Sequence, residues 1–294
     1  MIGIITVNWR GFQVTMDLVK HLVASDYSAF RVVVVNNSVE DNEKFAANPV
    51  HDDRVVIINS SENKGFSGGV NMGLRELLPE KSFTHFMIMN NDVALASDFL
   101  TKMFEAAKST EKIYSPLIFF RDTDLIYNTG GKVHIWLGGT INLNNHVPAH
   151  RVRKVIPDYF SGCVLFMHRS VVERTGLFDE TFGTYYEDVD FCYRAQRIGI
   201  SLEMVWDVFA RHFHSYSTKA DNTYKIYLLN RNQVIFGRKH LRCGAKLVFI
   251  LAAVVRGLIT NLGRKHFKPY FRGIKEGFST TIDQTNDSGE TKNG

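Results

Sequence analysis

The segment Tyr185-Tyr186-Glu187-Asp188-Val189-Asp190 places three carboxylates within four residues at the expected start of a helix. One of them can take the proton of an attacking hydroxyl as a general base, while the others orient ligands or cap the helix and complement its dipole. A further carboxylate, Asp92, ends the run Asn90-Asn91-Asp92 directly after the apolar Phe86-Met87-Ile88-Met89. At a strand end facing a ligand crevice it can hold Mg²⁺ or Mn²⁺, ions that bind diphosphate oxygens alongside one or two protein carboxylates and several waters. Asn-Asn-Asp is also ordinary turn chemistry. Arg211-His212-Phe213-His214 follows the strand-like Leu202 to Ala210. One histidine is expected to reach a site: His212 is the candidate ligand and His214 the surface residue. Asn63 to Gly73 reads as a glycine-dense turn running into a helix, where glycines allow close approach of backbone to a ligand and helix-start amides favour anions. It matches neither a Walker loop nor the dinucleotide fingerprint.

Elements must bring these groups together. Short apolar runs, Ile2 to Asn8, Arg31 to Asn36, Val55 to Ile58 and Phe86 to Met89, alternate with helical periodicity over Thr15 to Ala24 and Val70 to Leu78. That β-α-β-α-β order predicts an α/β fold with a mostly parallel sheet flanked by helices. Ligands of such sheets sit outside the carboxyl ends of the strands, so Thr6 to Trp9, Asn36-Asn37-Ser38 and Asn90-Asn91-Asp92 are expected around one crevice. Further along, Ser97 to Lys108 reads as a helix, Tyr159 to His168 as a strand, Ser170 to Thr175 and Asp188 to Ile198 as helices ended by Gly176 and Gly199. The pairs Gly130-Gly131 and Gly138-Gly139 read as turns.

The 294 residues suffice for a sizeable core, and 45% hydrophobic with 22% charged residues is ordinary globular composition. Three scattered cysteines, Cys163, Cys192 and Cys243, support neither a disulfide framework nor a zinc site and point to a reducing compartment. The opening residues read as a buried strand without signal-peptide features, which leads to the expectation of a cytoplasmic product. Residues 238 to 275 hold ten of the 35 Lys/Arg and no Asp or Glu, leaving 25 basic against 30 acidic residues elsewhere. An acidic body with a basic segment fits a membrane surface rather than a nucleic-acid groove. The apolar run Leu247 to Val255 is far shorter than a bilayer span. Residues 244–278 are therefore expected as a basic amphipathic helical extension lying on the inner face of a membrane, with helices packed on the protein's own body as the alternative. The expected organisation is residues 1–243 as one catalytic domain, divided near residue 95, then that extension, then a disordered tail at 279–294.

In order, these segments resemble glycosyltransferase family 2, and within it the rhamnosyltransferase-like branch that builds bacterial O-antigen and capsule polysaccharides. The similarity is carried by Ile4 to Trp9, Val32 to Asp41 (VVVVNNSVED), Asn63 to Leu74 (NKGFSGGVNMGL), Asn90-Asn91-Asp92, Gly176 to Arg194 (GLFDETFGTYYEDVDFCYR), His212 to Ser217 and Tyr227 to Lys239 (YLLNRNQVIFGRK), with a weaker match at Arg272 to Gly277. The resemblance implies the GT-A fold and inverting transfer of a sugar, rhamnose from dTDP-rhamnose first, to a hydroxyl of a growing lipid-linked glycan. It implies that Asp92 and His212 bind a divalent metal and that Asp188, beside Glu187, is the catalytic base. Thr6, Asn8, Asn36, Lys64, Gly65, Asn71, Asn91 and Asp92 would bind the nucleotide sugar, with Arg231 near phosphate or acceptor.

Two departures matter. Asn36 stands where many relatives have Asp, leaving a weaker acceptor for a pyrimidine N3 proton. Asp92 is the single carboxylate of the metal motif, which implies a weakly held ion. A UDP-dependent galactofuranosyl- or other hexosyltransferase and a non-catalytic nucleotide-sugar-binding member of the fold are the alternatives. A nucleotidyltransferase should carry a Gly- and Arg-rich loop where this chain has Asn8-Trp9-Arg10-Gly11-Phe12.

Overall fold

The computed structural model describes residues 1–213, 222–261 and 267–282. Eleven strands are seen among them: β1 Ile2–Asn8, β2 Phe30–Asn36, β3 Val55–Asn59, β4 His85–Asn90, β5 Val93–Leu95, β6 Lys112–Phe120, β7 Ile126–Asn128, β8 Gly131–His134, β9 Gly139–Asn142, β10 Val164–His168 and β11 Ser201–His212. The helices are α1 Phe12–Val23, α2 Asn42–Ala47, α3 Gly65–Leu77, α4 Phe99–Ala106, α5 Arg169–Thr175, α6 Glu187–Arg197, α7 Asn222–His240, α8 Cys243–Asn261 and α9 Phe267–Ser279. They form two compact units.

The first unit, residues 1–131, 142–183 and 187–217, contains the main sheet. Its order is β3-β2-β1-β4-β10-β6-β11-β5, with β7 paired to β6. Pairing is parallel from β3 to β4 and again between β6 and β11; β10, β5 and β7 join antiparallel. The near-continuous apolar strands are explained by their burial on both faces. Ile2 and Ile4 join Leu18, Val19 and Leu22 of α1 in the core. On the other face, a Cβ on Gly69 or Gly73 of α3 would come within 2.8 Å of Val7 or 2.6 Å of Ile5. The glycine-dense segment is thus mostly helix rather than turn, and these glycines set how closely α3 lies on β1.

The strand expected over Tyr159 to His168 begins only at Val164, because 159–163 forms a loop whose backbone bonds elsewhere: Cys163 accepts from Asn90 N, and Tyr159 O from Gly131 N.

The second unit comprises residues 132–141, 184–186 and 218–294. Here α9 packs closely on α7, because a Cβ at Gly273 would meet the carbonyl oxygen of Tyr227 and one at Gly277 would lie 2.6 Å from that of Arg231. Gly273 and Gly277 are one turn apart, so the helices approach backbone to backbone. Arg238 of α7 donates to the carbonyls of Gly277 and Thr280, satisfying groups at the end of α9. The turn at 135–137 lies against α8, with Gly138 directly at the backbone of Phe249 and Ala253.

The nine-residue run Leu247 to Val255 is the middle of the longer helix α8. Its Cys243–Thr260 stretch has a mean hydropathy of 1.9 and is, among the described residues, long and apolar enough to cross a membrane by length and composition. The side chains beyond Phe213 in the His212–Ser217 segment, Arg264, Lys265 and the tail 283–294 lie outside the described residues.

Candidate active site

The carboxyl ends of the parallel strands carry a row of asparagines in register, Asn8 opposite Asn36 and Asn36 opposite Asn59. Their amides bond sideways along the row. Asn8 Nδ2 donates to Asn36 Oδ1 at 2.8 Å and to Asp41 Oδ2 at 3.0 Å, and Asn36 Nδ2 donates to Asn42 Oδ1 at 2.8 Å and Asn59 Oδ1 at 3.0 Å. The Asn8 oxygen accepts from Gly11 N and Thr15 Oγ1, fixing the start of α1; the Asn36 oxygen also accepts from Ser38 N. Both side chains are fully buried, as is Thr6, whose hydroxyl has no hydrogen-bond partner among the described residues. Asn8 and Asn36 therefore hold the turn after β2 in shape, with their own hydrogen-bonding capacity spent inside the protein. Buried Asp41, which the sequence did not single out, joins this network and pairs with Lys44 at 2.7 Å.

Asp92 and His212 meet because β5 pairs antiparallel with the end of β11, setting His212 opposite Val93. His212 Nε2 lies 3.0 Å from Asp92 Oδ1 and 3.1 Å from Asn90 Nδ2, and Phe213 N donates to the Asp92 carbonyl. Asp92 is 9% and His212 5% exposed. Two ligands at ~2.1 Å on neighbouring corners of an octahedral ion stand about 3 Å apart, so this imidazole–carboxylate pair fits a divalent cation. No cluster of three or more His, Cys, Asp or Glu able to hold a metal occurs among the described residues, so donor phosphates and water would have to complete the sphere. Asn91 turns away, donating to Thr15 Oγ1 at 2.8 Å.

Glu187 and Asp188 open α6 after two tyrosines with left-handed backbone, φ 71° at Tyr185 and 72° at Tyr186. Such φ values are uncommon for bulky residues and store strain at this junction. Half-buried Asp188 is fixed by two backbone amides, Gly162 N to Oδ2 and Val189 N to Oδ1, both at 2.8 Å. Burial raises its pKa above the ordinary carboxylate value, and those amides, which favour the anion, oppose the rise. Glu187 is buried, its Oε2 has no hydrogen-bond partner among the described residues, and burial followed by the Asp188 charge pushes its pKa well up. Burial thus raises the proton affinity of both carboxylates, and only Asp188 has two backbone amides that favour its anion. Asp190 is spent on Arg194, 2.8 Å away, which also holds the Thr175 and Leu177 carbonyls.

One short loop links the two constellations. Gly162 N holds Asp188, while the carbonyl of the next residue, Cys163, accepts from Asn90 N at 3.0 Å. A Cβ on Gly162 would lie 3.1 Å from the Phe66 ring and 3.7 Å from the Asp188 Cβ, so α3 also reaches this loop. Sequence reading missed Gly162; a glycine inside the strand expected over Tyr159 to His168 was its visible signal.

The α3 segment serves the same loop system. Gly65 has φ 69°, and a Cβ there would lie 2.7 Å from the backbone of Gly183; Asn37 Nδ2 donates to its carbonyl and Gly183 O accepts from Ser67 N. Asn71 donates to Phe178 O and Glu180 Oε1, each at 2.8 Å, and accepts from Phe178 N at 3.0 Å. It clamps the segment leading to Glu187 and Asp188. Lys64, exposed, helps Asn71 and Arg75 counter the upward effect of burial on Glu180, whose pKa is lowered.

The family model for glycosyl transferase family 2 matches residues 2–176, more than half of the 294 residues. The chain belongs to glycosyl transferase family 2. It is a glycosyltransferase, and the matched region contains the asparagine row and Asp92 but ends before Glu187 and His212. The low-salt glycan biosynthesis hexosyltransferase Agl10 of Haloferax volcanii is 30% identical over 238 residues, 80% of this chain and 74% of that protein. GalNAc-T7, solved with UDP, GalNAc and Mn²⁺, superposes with a TM-score of 0.63 at 13% identity, over 81% of this chain and 48% of its own. The chain thus spans about half the length of that structure. The mannosyltransferase PcManGT of Pyrobaculum calidifontis, in complex with GDP-Man and Mn²⁺, superposes with a TM-score of 0.58 at 14% identity, over 94% and 84% of the two chains. These likenesses show the fold, GT-A.

Arg231 belongs to the second unit. Its Nε lies 3.0 Å from Glu276 Oε1 and its NH1 donates to Asn232 Oδ1 at 2.7 Å. Asn232, fully buried, donates to the carbonyls of Thr184 and Tyr185 at 2.9 and 2.7 Å. Arg231, expected near phosphate or acceptor, orients an amide that holds the strained turn before Glu187.

Proposed function

We propose that this glycosyltransferase is an inverting, divalent-metal-dependent hexosyltransferase that moves a sugar from a nucleoside diphosphate, dTDP-rhamnose first among donors, to a hydroxyl of a growing lipid-linked glycan. The observation that carries the reading is Asp188: a carboxylate of raised proton affinity, aimed by two backbone amides and joined through Gly162-Cys163 to the Asp92–His212 pair. The hexosyltransferase name of the 30% identical relative supports the reaction class, and the Mn²⁺ and nucleotide sugars of the two structural neighbours support the cofactor and donor class.

Asp188 takes the acceptor proton as that oxygen attacks the anomeric carbon, and the bond to the diphosphate breaks on the opposite face. A general base works best with a pKa near the working pH, which burial of Asp188 promotes. Glu187, its proton affinity raised by burial and by the Asp188 charge, disfavours a second negative charge on the pair. Asp92 and His212 would hold the cation, which would supply positive charge for the leaving diphosphate. The asparagine row keeps the turn after β2 rigid as a wall of the donor crevice, and Asn37, whose buried Oδ1 has no hydrogen-bond partner among the described residues, offers an acceptor there.

The glycan is met at the cytoplasmic face of a membrane. The support is α8, whose Leu247, Leu251, Val255 and Ile259 form an exposed stripe, and α9, which exposes Phe271 and Phe278 beside Lys268, Arg272 and Lys275. The buried, unpaired Cys163 and Cys192 agree with a reducing compartment.

The test is turnover and binding in Asp188→Asn with a panel of dTDP-, UDP- and GDP-sugars, with Mn²⁺ and after chelation. Transfer is lost by at least a thousandfold while nucleotide affinity is kept, and chelation stops the wild type. Wild-type-like turnover of Asp188→Asn removes Asp188 from the base role, and metal-independent transfer removes the cation.

A further inference from the structure

The second unit contains a cavity of about 370 Å³ lined by Thr140, Tyr186, Ile226, Leu229, Asn230, Gln233, Arg256, Gly257 and Thr260. No carboxylate is among these residues. Arg256, from α8, donates to Gln233 Oε1 at 3.2 Å and has no acidic partner among the described residues. Gln233 is 4% exposed, and its Nε2 has no hydrogen-bond partner among the described residues. Its amide orientation follows from that bond: the oxygen faces the guanidinium, so both N–H donors are left over. The buried Gln233 amide is left without an acceptor, which is costly, and half-buried Arg256 has only a neutral oxygen as its partner among the described residues. Donors concentrated in a polar recess with no negative group call for an anion, and the fork of Arg256 suits phosphate oxygens.

A second feature narrows the ligand. On α8, Phe249, Ala253 and Gly257 are buried, whereas Leu247, Leu251, Val255 and Ile259 are exposed. The two sets are about 200° apart on the helix, at 100° per residue. Arg256 and Thr260 flank the inward set, and each is one residue along from a member of the outward stripe. The same helix therefore offers a phosphate-binding side chain in a cavity that also contains Ile226 and Leu229, and a long apolar surface beside it. The excess of ten basic residues in the 238–275 segment disfavours covering that stripe with a second copy, which would bring like charges together, and favours an anionic amphiphile.

We propose that this cavity binds the phosphate or diphosphate of a lipid-linked acceptor, with Arg256 and Gln233 as its donors and the α8 stripe bearing the hydrocarbon chain. This rests on the lipid-linked acceptor reading above and adds the residues that recognise it. Tyr186, in the cavity wall, precedes Asp188 by two residues in the chain.

The full chain is titrated calorimetrically, without donor, with farnesyl diphosphate, farnesol and inorganic pyrophosphate, and separately with dTDP and UDP. Farnesyl diphosphate binds at least tenfold tighter than either pyrophosphate or farnesol. Arg256→Gln weakens it by at least tenfold, Arg256→Lys restores part of the loss, and Gln233→Leu, which keeps volume and removes only the donor, weakens it severalfold. Nucleotide affinity stays constant across the variants. Should Arg256→Gln fail to fold, Gln233→Leu and Arg256→Lys carry the comparison. The proposal is overturned if farnesyl diphosphate does not bind the wild type, if its affinity ignores these substitutions, or if pyrophosphate binds equally tightly, which would make this a site for free phosphate. Parallel loss of dTDP or UDP would instead assign the cavity to the donor. Absence of nucleotide binding by the wild type, with farnesyl diphosphate still held, would refute the donor reading and leave this one standing.

Discussion

Asn71 distinguishes a nucleotide contact from a structural clamp, and the two roles differ in what a substitution does. The side chain is 1% exposed and makes three hydrogen bonds, two to the backbone of Phe178 and one to Glu180. Asn71→Ala deletes all three and leaves the N–H and C=O of Phe178 without their partner. At about 1–3 kcal/mol for each buried group so exposed, the expected loss of stability is about 3 kcal/mol. For a unit of roughly 200 residues this lowers Tm by about 6–12 °C. Asn71→Asp keeps the acceptor for Phe178 N, loses both donors and sets a second carboxylate against Glu180, so it costs more at pH 7 than at pH 4. Urea unfolding gives the stability, and dTDP or UDP titration below the transition gives the affinity, which is expected to stay within about threefold of wild type. A stable Asn71→Ala chain, within 0.5 kcal/mol of wild type by the ~1 kcal/mol standard of single hydrogen bonds, combined with a tenfold or greater loss of nucleotide affinity, refutes the clamp.

Because burial raises the Asp188 pKa, the acidic limb of kcat/KM is expected above the usual carboxylate range, with activity rising with pH through it; a limb at or below pH 4 contradicts the assignment. Glu187 has a folded pKa well above 4.5, so the folded state binds the extra proton and the stability it contributes is lost as pH rises through that folded pKa. Glu187→Gln is therefore expected to raise Tm at pH 8 and leave it unchanged at pH 4, and a uniform shift at both would refute that proton inventory. Gly65→Ala combines a φ of 69° with a Cβ 2.7 Å from the Gly183 backbone, so it should cost roughly 2–3 kcal/mol and reduce transfer; circular dichroism melts matching wild type would show that the α3 start yields freely.

Pattern alone carried the α/β alternation, because strands buried on both faces must be continuous apolar runs such as Val32 to Val35, and helices that cover them must repeat every three to four residues. It also carried Asp92, Glu187 and Asp188 as candidates, since a carboxylate at a strand end or helix start is visible in one dimension. What these residues face was decided by pairing. His212 reaches Asp92 only because β11 runs out beside β5, and Gly162 serves Asp188 only because β10 lies between β4 and β6. The partners of the amides were the least legible in sequence. Asn8, Asn36 and Asn71 have the same donors and acceptors whether they meet a ligand or each other, and only the register of β1 with β2, together with the packing of α3 against the 178–183 segment, determined that those bonds close within the protein. Likewise the glycines of α3 read in sequence as allowing close approach of backbone to a ligand, and Gly69 and Gly73 pack against Val7 and Ile5, because a missing Cβ serves close approach to a strand as readily as to a ligand.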